Sequence, residues 1–321
     1  MKEIGGYFEL ELHKGGHYHP DALHLNTGRN CFEYILRAKG YKKVYIPYYT
    51  CEVMLEPLRK CGVKWEFYHI NEDFEPLTSY SLATDEAFLY TNYWGLKQAC
   101  VKRSAERYGK QLIVDNAQAF FASPIEGVDT FYSARKFFGV PDGAYLYTDK
   151  FLNVELEQDV SCQRCEHLLR RIDEGAERGY EAFRRNDDAL NNQPIKKMSQ
   201  LTESILMGVD YKIVVEQRRG NFNYLHSFLG KRNRLNLETL KDEKVPMIYP
   251  FFVQNIDIRK KLIANKIFVA TYWPNVFSWT VADSVEHGFA DYLIPLPIDQ
   301  RYGEDDIERI LKMVTIYIFT V

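Results

Sequence analysis

The chain has 321 residues and a formal charge of −3, from 41 lysine and arginine residues against 44 aspartate and glutamate residues. Hydrophobic residues make up 46% of the chain and charged residues 26%, a composition that excludes disorder across the chain as a whole. The near-neutral charge argues against a nucleic-acid partner, because proteins that bind nucleic acids carry a clustered basic excess.

The sequence also argues against a membrane or secreted protein. No segment reaches the ~18 consecutive apolar residues of a transmembrane helix, and the N-terminal run MKEIGGYFELELHKGG lacks the layout of a signal peptide. Six scattered cysteines indicate a reducing, cytoplasmic location. The one close pair, Cys162 and Cys165, has no second ligand pair in register, so we expect no metal site there.

Helix-like and strand-like segments alternate from residue 28 onward. Apolar residues recur every three to four positions in CFEYILRAKG (31–40), which predicts a helix. Further amphipathic helices are predicted at 51–62 and 97–110, and strands are predicted at 44–47, 64–70, 87–94, 111–117, 129–134 and 143–148. This order predicts an α/β fold with a mostly parallel sheet sandwiched by helices. The link between the strands at 111 and 129 is too short for a helical crossover, so we expect a local departure there.

The second half of the chain changes character. Residues 150–220 are dense in charge, and they lead into a long helical segment at 198–229. The pattern restarts near residue 244 with a strand (245–253), a helix (258–266), an extended segment (267–273) and a final helix (305–314). We therefore predict a large α/β domain (1–240) and a smaller C-terminal α+β domain (241–321).

Two predicted strand ends carry polar groups where ligands bind in open α/β sheets. Thr27 and Gly28 stand at a helix start, where backbone N–H groups and the helix dipole attract phosphate. An ordinary N-cap is the alternative for Thr27. Asp115 ends an apolar strand, with Gln118 three positions later, and a buried carboxylate needs a cation or hydrogen bonds. A turn-capping aspartate is the alternative.

A third strand end supplies an amine. Lys136 follows Ser133 and is flanked in the sequence by Tyr132, Phe137 and Phe138. An apolar environment would lower the pKa of the lysine and make its amine nucleophilic, whereas a surface lysine beside aromatic rings is the alternative. A phosphate cradle, a buried carboxylate and an amine are together the attachment points of pyridoxal 5′-phosphate.

The run IVDNAQAFFASPIEGVDTFYSARKFFGVPDGAYLYT (113–148) resembles the core of the DegT/DnrJ/EryC1/StrS family of fold-type-I aminotransferases, which depend on pyridoxal phosphate. The shared features are a D-x-A-Q-A strand end, a serine-containing strand, a lysine and a glycine-rich turn. The likeness extends over residues 24–315, including LNTGRNCFEYIL at the phosphate turn, KKMSQLTESILMGVDYKIVVEQRR at the R-M-S helix and YLIPLPIDQRYGEDDIERILKMV at the closing strand and last helix.

The resemblance implies a role for each matching residue. Lys136 would form the Schiff base with the cofactor and carry the transferred proton, and Asp115 would pair with the pyridinium nitrogen. Gln118 would contact the cofactor or the substrate. The other implied cofactor contacts are Thr27, Gly28, Arg29 and Ser133 at the phosphate and Tyr49 at the ring, where a strict alignment places Cys51 instead.

The chain departs from the family pattern at two places that matter. Its phosphate turn reads T-G-R-N-C-F, with a bulky Arg29, and the family's asparagine before the R-M-S helix has no counterpart. Nearby Asn191 or Asn192 would replace that asparagine, which is expected to reach the active site of a partner subunit in a homodimer.

The resemblance implies an aminotransferase that moves an amino group from a donor such as glutamate to a keto sugar nucleotide, for amino-sugar or surface-polysaccharide biosynthesis. One alternative is a pyridoxal-phosphate-dependent sugar dehydratase, although family members of that kind replace the lysine with histidine. The other is a protein of this fold that binds a ligand or regulates without turnover.

Several further side chains are open to two interpretations. His17 and His19 would line the mouth of the pocket or lie in a solvated loop. Tyr272, Trp273 and Trp279 would offer a surface for stacking on a sugar or belong to an ordinary core.

Overall fold

A seven-stranded sheet forms the centre of the computed structural model, which describes residues 4–240, 244–254 and 257–319. Its strands are β1 (Leu23–Leu25), β2 (Lys43–Pro47), β3 (Lys64–Tyr68), β4 (Glu86–Thr91), β5 (Leu112–Asn116), β6 (Asp129–Ser133) and β7 (Ala144–Tyr147). They lie in the order β1-β7-β6-β5-β4-β2-β3. The five strands from β6 to β3 are parallel, and β7 is antiparallel to both β6 and β1. The predicted mostly parallel sheet is confirmed.

Helices cover both faces of this sheet. On one face lie α1 (Gly28–Lys39) and α2 (Leu55–Cys61), and the predicted apolar positions Phe32, Ile35 and Leu36 are buried there. The other face carries α3 (Gln98–Tyr108), α6 (Gln200–Met207) and α7 (Tyr211–Leu229), whose apolar side chains join the largest hydrophobic cluster. The two layers bury the central strands β4, β5 and β6 on both sides, which explains their largely apolar sequences, whereas the edge strand β3 is mostly exposed.

The link from β5 to β6 contains no helix, yet the two strands are parallel. Residues 117–128 cross between them through turns alone, a length close to the shortest that a parallel crossover needs. The expected departure from strand–helix alternation therefore occurs in this link, which has no helix. The pairing of β5 with β6 stays parallel, and the antiparallel pairs are β6 with β7 and β7 with β1.

The charged region and the predicted long helix are both interrupted. The first divides into α4 (Glu166–Asp173) and α5 (Ala176–Ala189) at Gly175, which has a φ of +88°. The single helix predicted over 198–229 is wrong, because α6 and α7 are separated at Gly208–Asp210. The Asp210 carboxylate accepts hydrogen bonds from the N–H groups of Lys212 and Ile213, both at 3.1 Å, and so begins a new helix.

The C-terminal part combines a two-stranded antiparallel sheet, β8 (Tyr249–Phe252) with β9 (Leu293–Leu296), and four helices. These are α8 (Asp257–Ala264), α9 (Val276–Trp279), α10 (Val285–Tyr292) and α11 (Glu304–Phe319). A third hydrophobic cluster joins β8, β9, α8 and α11 to the C-terminal half of α7. The buried residues of α9 and α10 belong to the largest cluster instead. Residues 267–273, predicted as extended, form no strand. The boundary at 240/241 stays a prediction, and it adjoins residues 241–243, which lie outside the described residues.

Within the described ranges, the longest helices are too short or too polar to cross a bilayer.

Candidate active site

The carboxyl ends of four strands meet at one edge of the sheet. Because β7 reverses direction twice, against β6 and against β1, strand β1 runs the same way as β4, β5 and β6. Thr27 therefore follows β1 at the edge where Thr91, Asp115 and Ser133 stand at or near the ends of β4, β5 and β6. This is the edge at which open α/β sheets bind ligands.

A cleft of about 240 Å³ opens at this edge. Seven of the eight predicted site residues line it: Thr27, Gly28, Arg29, Asp115, Gln118, Ser133 and Lys136. Residues separated by more than a hundred positions in the chain thus face one space.

Asp115 is a buried carboxylate with little internal compensation. Its side chain is only 6% exposed, and its Oδ1 accepts a hydrogen bond from the Ala117 N–H at 2.8 Å. Burial raises the pKa of Asp115, and the positive charge of Lys136 offsets part of that rise. Such a carboxylate favours a cationic partner placed in the cleft.

Lys136 extends into the cleft from a single helical turn, Ala134–Lys136, directly after β6. Its sequence neighbours Tyr132, Phe137 and Phe138 are buried in the largest hydrophobic cluster, while Lys136 itself is exposed. Of the two interpretations of Lys136, the structure agrees with the exposed lysine, because the turn sends the aromatic rings into the core and the lysine towards solvent. Within the described residues, the Lys136 ammonium has no hydrogen bond or ion pair.

The loop that carries Lys136 is closed by Gly143 and Asp142. The Ala134 N–H donates to the Gly143 carbonyl at 3.1 Å, and Gly143 has a φ of +109°, with space for no side chain because a Cβ would lie 2.8 Å from Thr202 Cγ2. The buried Asp142 carboxylate accepts from the Ser199 N–H at 2.9 Å and the Ser199 hydroxyl at 2.7 Å. The loop is thereby fixed to the start of α6.

Thr27 caps α1. Its Oγ1 accepts from the Asn30 N–H at 3.1 Å and donates to Asn30 Oδ1 at 2.6 Å, so this hydroxyl is occupied within the chain. The N-cap interpretation is confirmed, and the hydroxyl is not a free phosphate donor as predicted. The N–H groups of Gly28 and Arg29 belong to the first turn, which has no partners inside the helix. A Cβ at Gly28 would meet only the Phe131 ring, at 3.7 Å.

Two arginines also line the cleft. Arg29 is 8% exposed; its guanidinium pairs with Glu56 at 3.1 Å and also donates to Asn191 of its own chain. Arg135 donates two hydrogen bonds to Asp187, both at 3.1 Å. Burial lowers the pKa of Arg135, and Asp187 opposes that effect. Arg135 was missed in the sequence, although its place directly before Lys136 was a signal for it.

Tyr49 is not on the wall of the cleft. It is fully buried, and its ring packs against Tyr93 and Trp273 at centroid distances of 5.6 and 5.1 Å. The predicted contact of Tyr49 with the cofactor ring is therefore wrong, because the chain after β2 turns this side chain into the core. Cys51 and Tyr272 line the cleft instead.

The remaining aromatic and histidine candidates lie partly in the cleft and partly in the core. Trp273 lines the cleft with Tyr272, whereas the ring of Trp279 packs against that of Phe67 at a centroid distance of 4.9 Å.

The two histidines near the N-terminus are largely buried. His19 is 2% exposed, and its Nε2 lies 2.7 Å from the Phe120 carbonyl oxygen. Burial lowers the pKa of His19 to about 4. The side chain of His17 is 10% exposed. Neither histidine lines the cleft or lies in a solvated loop.

Several solved structures resemble this one over almost the whole chain. A DegT DnrJ EryC1 StrS aminotransferase from Brucella abortus is 13% identical, with 92% of this chain and 85% of that chain covered and a TM-score of 0.60. The sugar aminotransferase CalS13 from Micromonospora echinospora is also 13% identical, with 92% and 87% covered and a TM-score of 0.56.

NtdA from Bacillus subtilis, solved with bound cofactor PMP, is 14% identical, with 92% of this chain and 72% of that chain covered and a TM-score of 0.63. This chain shares their fold. The fold-type-I architecture implied by the sequence resemblance is thus confirmed. No protein-family model matches the chain, and no curated protein matches it.

Proposed function

We propose that this protein is a pyridoxal-phosphate-dependent aminotransferase that uses an amino-acid donor and a keto sugar nucleotide. One observation carries the proposal. The Lys136 amine and the buried Asp115 carboxylate face one cleft at the carboxyl edge of the sheet, in a fold shared with a sugar aminotransferase and a protein solved with PMP.

The polar groups of the cleft fit this cofactor. Asp115 accepts only one backbone hydrogen bond and has a raised pKa, which suits a carboxylate beside a protonated ring nitrogen. Gln118 Nε2 is a buried atom without a hydrogen-bond partner in the described structure. Buried polar atoms of this kind are costly unless a ligand satisfies them.

Each residue has a definite task in the proposed reaction. Bound pyridoxal phosphate would supply an electron sink for the negative charge that develops at the carbon losing its proton. Asp115 would hold the ring-nitrogen proton in place, and Lys136 Nζ would attach the cofactor and then carry the proton. Ser133 and the first N–H groups of α1 would hold the phosphate.

Arg135 is the side chain that we add to this assignment. It lies directly before Lys136, and its Nε is buried without a hydrogen-bond partner in the described structure. The positive charge of Arg29, at the phosphate turn, helps to lower the pKa of Arg135. We therefore assign Arg135 to the phosphate side of the cleft. It would contribute positive charge where Arg29 is already paired with Glu56.

Tyr272 supplies an aromatic surface in the cleft, next to Cys51. Aromatic faces suit the stacking of a cofactor ring or a sugar. We propose that Tyr272 takes over the ring contact that Tyr49 does not make. The nucleotide part of the acceptor, the role in amino-sugar or polysaccharide biosynthesis, and the cytoplasmic location are proposals from the sequence resemblance.

A second candidate is a protein of this fold that binds the cofactor or a sugar nucleotide without turnover. The self-capped Thr27 and the paired Arg29 favour it, because two of the predicted phosphate contacts are engaged within the chain. A dehydratase is disfavoured, because Lys136 stands where such enzymes carry histidine.

A single-turnover experiment separates these candidates. The purified protein is loaded with pyridoxal phosphate and mixed with glutamate, and the absorbance of the cofactor is followed. The aminotransferase converts the cofactor to its pyridoxamine form and releases 2-oxoglutarate in equal amount. A cofactor that binds but does not change in glutamate or in other amino-acid donors supports the binding protein.

A further inference from the structure

A cluster of potential metal ligands lies on the face of the sheet opposite α1. His24 stands in β1 between Leu23 and Leu25, which pack towards α1, so its ring points to the other face. There it meets His17, from the segment before β1, and Glu203 in α6. One ligand atom from each of the three lies within 4.8 Å of the others. None of them lines the cleft.

The spacing of these atoms is close to that of a tetrahedral metal site, and the two histidines face different oxygens of the Glu203 carboxylate. His17 Nε2 lies 3.5 Å from Glu203 Oε2, and His24 Nδ1 lies 3.1 Å from Glu203 Oε1. Zinc bonds to nitrogen and oxygen are ~2.0–2.2 Å long, which separates two ligands of a tetrahedron by about 3.3–3.6 Å. Two imidazoles and one carboxylate form a recognised zinc ligand set.

His17 gives independent support for a ligand at this point. Its side chain is nine-tenths buried, and its Nε2 faces the Glu203 carboxylate without making a hydrogen bond in the described structure. The other ring nitrogen, Nδ1, lies 2.8 Å from the Tyr145 hydroxyl. If Nδ1–H donates to that hydroxyl, Nε2 keeps a lone pair that is aimed into the cluster.

His24 is oriented in the same manner. Its Nε2 lies 3.3 Å from the backbone carbonyl oxygen of His19, to which only an N–H can donate. In the absence of an ion, Nδ1 lies 3.1 Å from Glu203 Oε1 and donates a hydrogen bond to it. When an ion binds, loss of the Nδ1 proton leaves the lone pair of the neutral ring for the metal. Metal-binding histidines commonly donate their second N–H to a carbonyl or hydroxyl, which fixes the tautomer and the ring orientation.

We propose that His17, His24 and Glu203 bind a divalent transition-metal ion of the zinc class. The Glu203 side chain is 32% exposed, which leaves a path for the ion and room for water as a fourth ligand. The ion would join the N-terminal segment, β1 and α6. Thr202, next to Glu203, contacts the buried Asp142 in the Lys136 loop, so the site would also stiffen the support of that loop.

Zinc binding by tag-free protein loaded with pyridoxal phosphate tests this proposal. We expect one zinc per chain in equilibrium dialysis, and a rise in Tm with zinc concentration. His24→Gln and Glu203→Gln should each weaken binding ~100-fold or more, because removal of even an outer-shell partner costs about 10–100-fold. Tyr145→Phe, which keeps all three ligands, should cost about 10-fold.

His69→Gln is the matched control, because His69 Nδ1 also lies 3.1 Å from a carboxylate, that of Glu286, with no third potential ligand among the described residues. This variant should keep one zinc per chain. X-ray absorption of the zinc-loaded wild type gives a measurement that needs no variant, and it should show two imidazole ligands.

A simple ion pair between the histidines and Glu203 is the competing explanation. It predicts that Glu203→Gln lowers Tm equally with and without zinc. That result, or wild-type protein that binds zinc no more tightly than His24→Gln, would overturn the proposal, as would a zinc spectrum without imidazole ligands.

Discussion

Asp115 and Lys136 stand at one edge of the sheet in very different surroundings. Asp115 is buried and has a raised pKa, whereas Lys136 is exposed and unpaired within the described residues. The ionised Asp115 carboxylate therefore lowers the stability of the protein when no ligand is bound. The Lys136 amine is accessible to an aldehyde. This division suits an acid group that holds a charge and an amine that reacts.

Asp115→Asn tests two effects of the buried charge, the loss of folding stability and the contribution to the reaction with glutamate. The pKa of Asp115 is raised in the folded chain. The folded protein therefore loses stability as the pH rises above ~3.9, the pKa of an aspartate in the unfolded chain. Without cofactor, the asparagine variant should melt at a higher temperature than wild type at pH 7, and the difference should shrink towards pH 4.

The same variant should slow the half-reaction with glutamate ~100-fold or more, because the ring-nitrogen proton loses its anionic partner. The exposed Asp188→Asn is the control for both measurements. An Asp115→Asn variant with wild-type rate and unchanged pH dependence of Tm would remove Asp115 from the proposed site.

Helix α1 presents its first turn to the cleft, and Thr27 fixes where that turn begins. Its hydroxyl is used entirely by Asn30. The phosphate would therefore meet backbone N–H groups that the cap leaves unpaired. The local sequence predicted this helix start well, since capping depends on neighbouring residues alone.

Thr27→Ala should lower the free energy of unfolding by ~1 kcal/mol, the usual cost of losing an N-cap. Urea unfolding without cofactor measures this loss, and Thr27→Ser should restore most of it. Cofactor affinity should fall in Thr27→Ala as the first turn frays. Unchanged stability in the alanine variant would show that the cap does not hold the turn.

Helix α7 holds the far side of the Lys136 loop through Arg218. This guanidinium is 1% exposed and donates to the carbonyl oxygens of Phe137, Pro246 and Met247 at 3.4, 3.3 and 3.1 Å, and to Gln300 Oε1 at 3.0 Å. Burial lowers the pKa of Arg218 to about 10. One side chain thus ties the loop to α7 and to the C-terminal part.

Arg218→Ala should cost ~3 kcal/mol in urea unfolding, because it leaves the buried carbonyl groups of Pro246 and Met247 without this donor. Arg218→Lys should recover less than half of that loss, since one ammonium cannot reach acceptors in four directions. A lysine variant as stable as wild type would show that the charge alone matters.

At this scale the sequence predicted strands β2 to β8 and helices α1, α2, α3, α8 and α11, because their signals are local. The break between α6 and α7 was missed, although Gly208 and Asp210 were visible in the sequence. The orientation of Tyr49 was misjudged, because residue type does not show which way a turn directs a side chain. The contact of His24 with Glu203, 179 positions away, depends on tertiary packing that no local pattern carries.

The whole molecule exposes apolar side chains that a partner would cover. Tyr7, Phe8 and Leu10 in the N-terminal segment are 98%, 93% and 65% exposed. Exposed apolar surface commonly marks an interaction site, and the homodimer implied by the sequence resemblance predicts that a second copy of the chain covers these side chains. Asn191 contacts Arg29 of its own chain, so the asparagine expected to reach a partner's site stays a prediction.

Light scattering coupled to size exclusion should give twice the mass of the chain. Replacing Tyr7, Phe8 and Leu10 together by serine should increase the fraction of monomer, whereas serine at the exposed Phe151 and Val154 should not. A monomer at every concentration would contradict the homodimer, and an unchanged dimer in the triple variant would place the interface elsewhere.

The central claim is that Lys136 is the attachment point of pyridoxal phosphate. Purified protein is incubated with the cofactor, reduced with borohydride to make the bond to the amine permanent, digested and analysed by mass spectrometry. The account predicts absorbance in the ~400–430 nm range before reduction and one modified peptide, with the label on Lys136. A label spread over surface lysines, or an equal yield from Lys136→Ala protein, would contradict it.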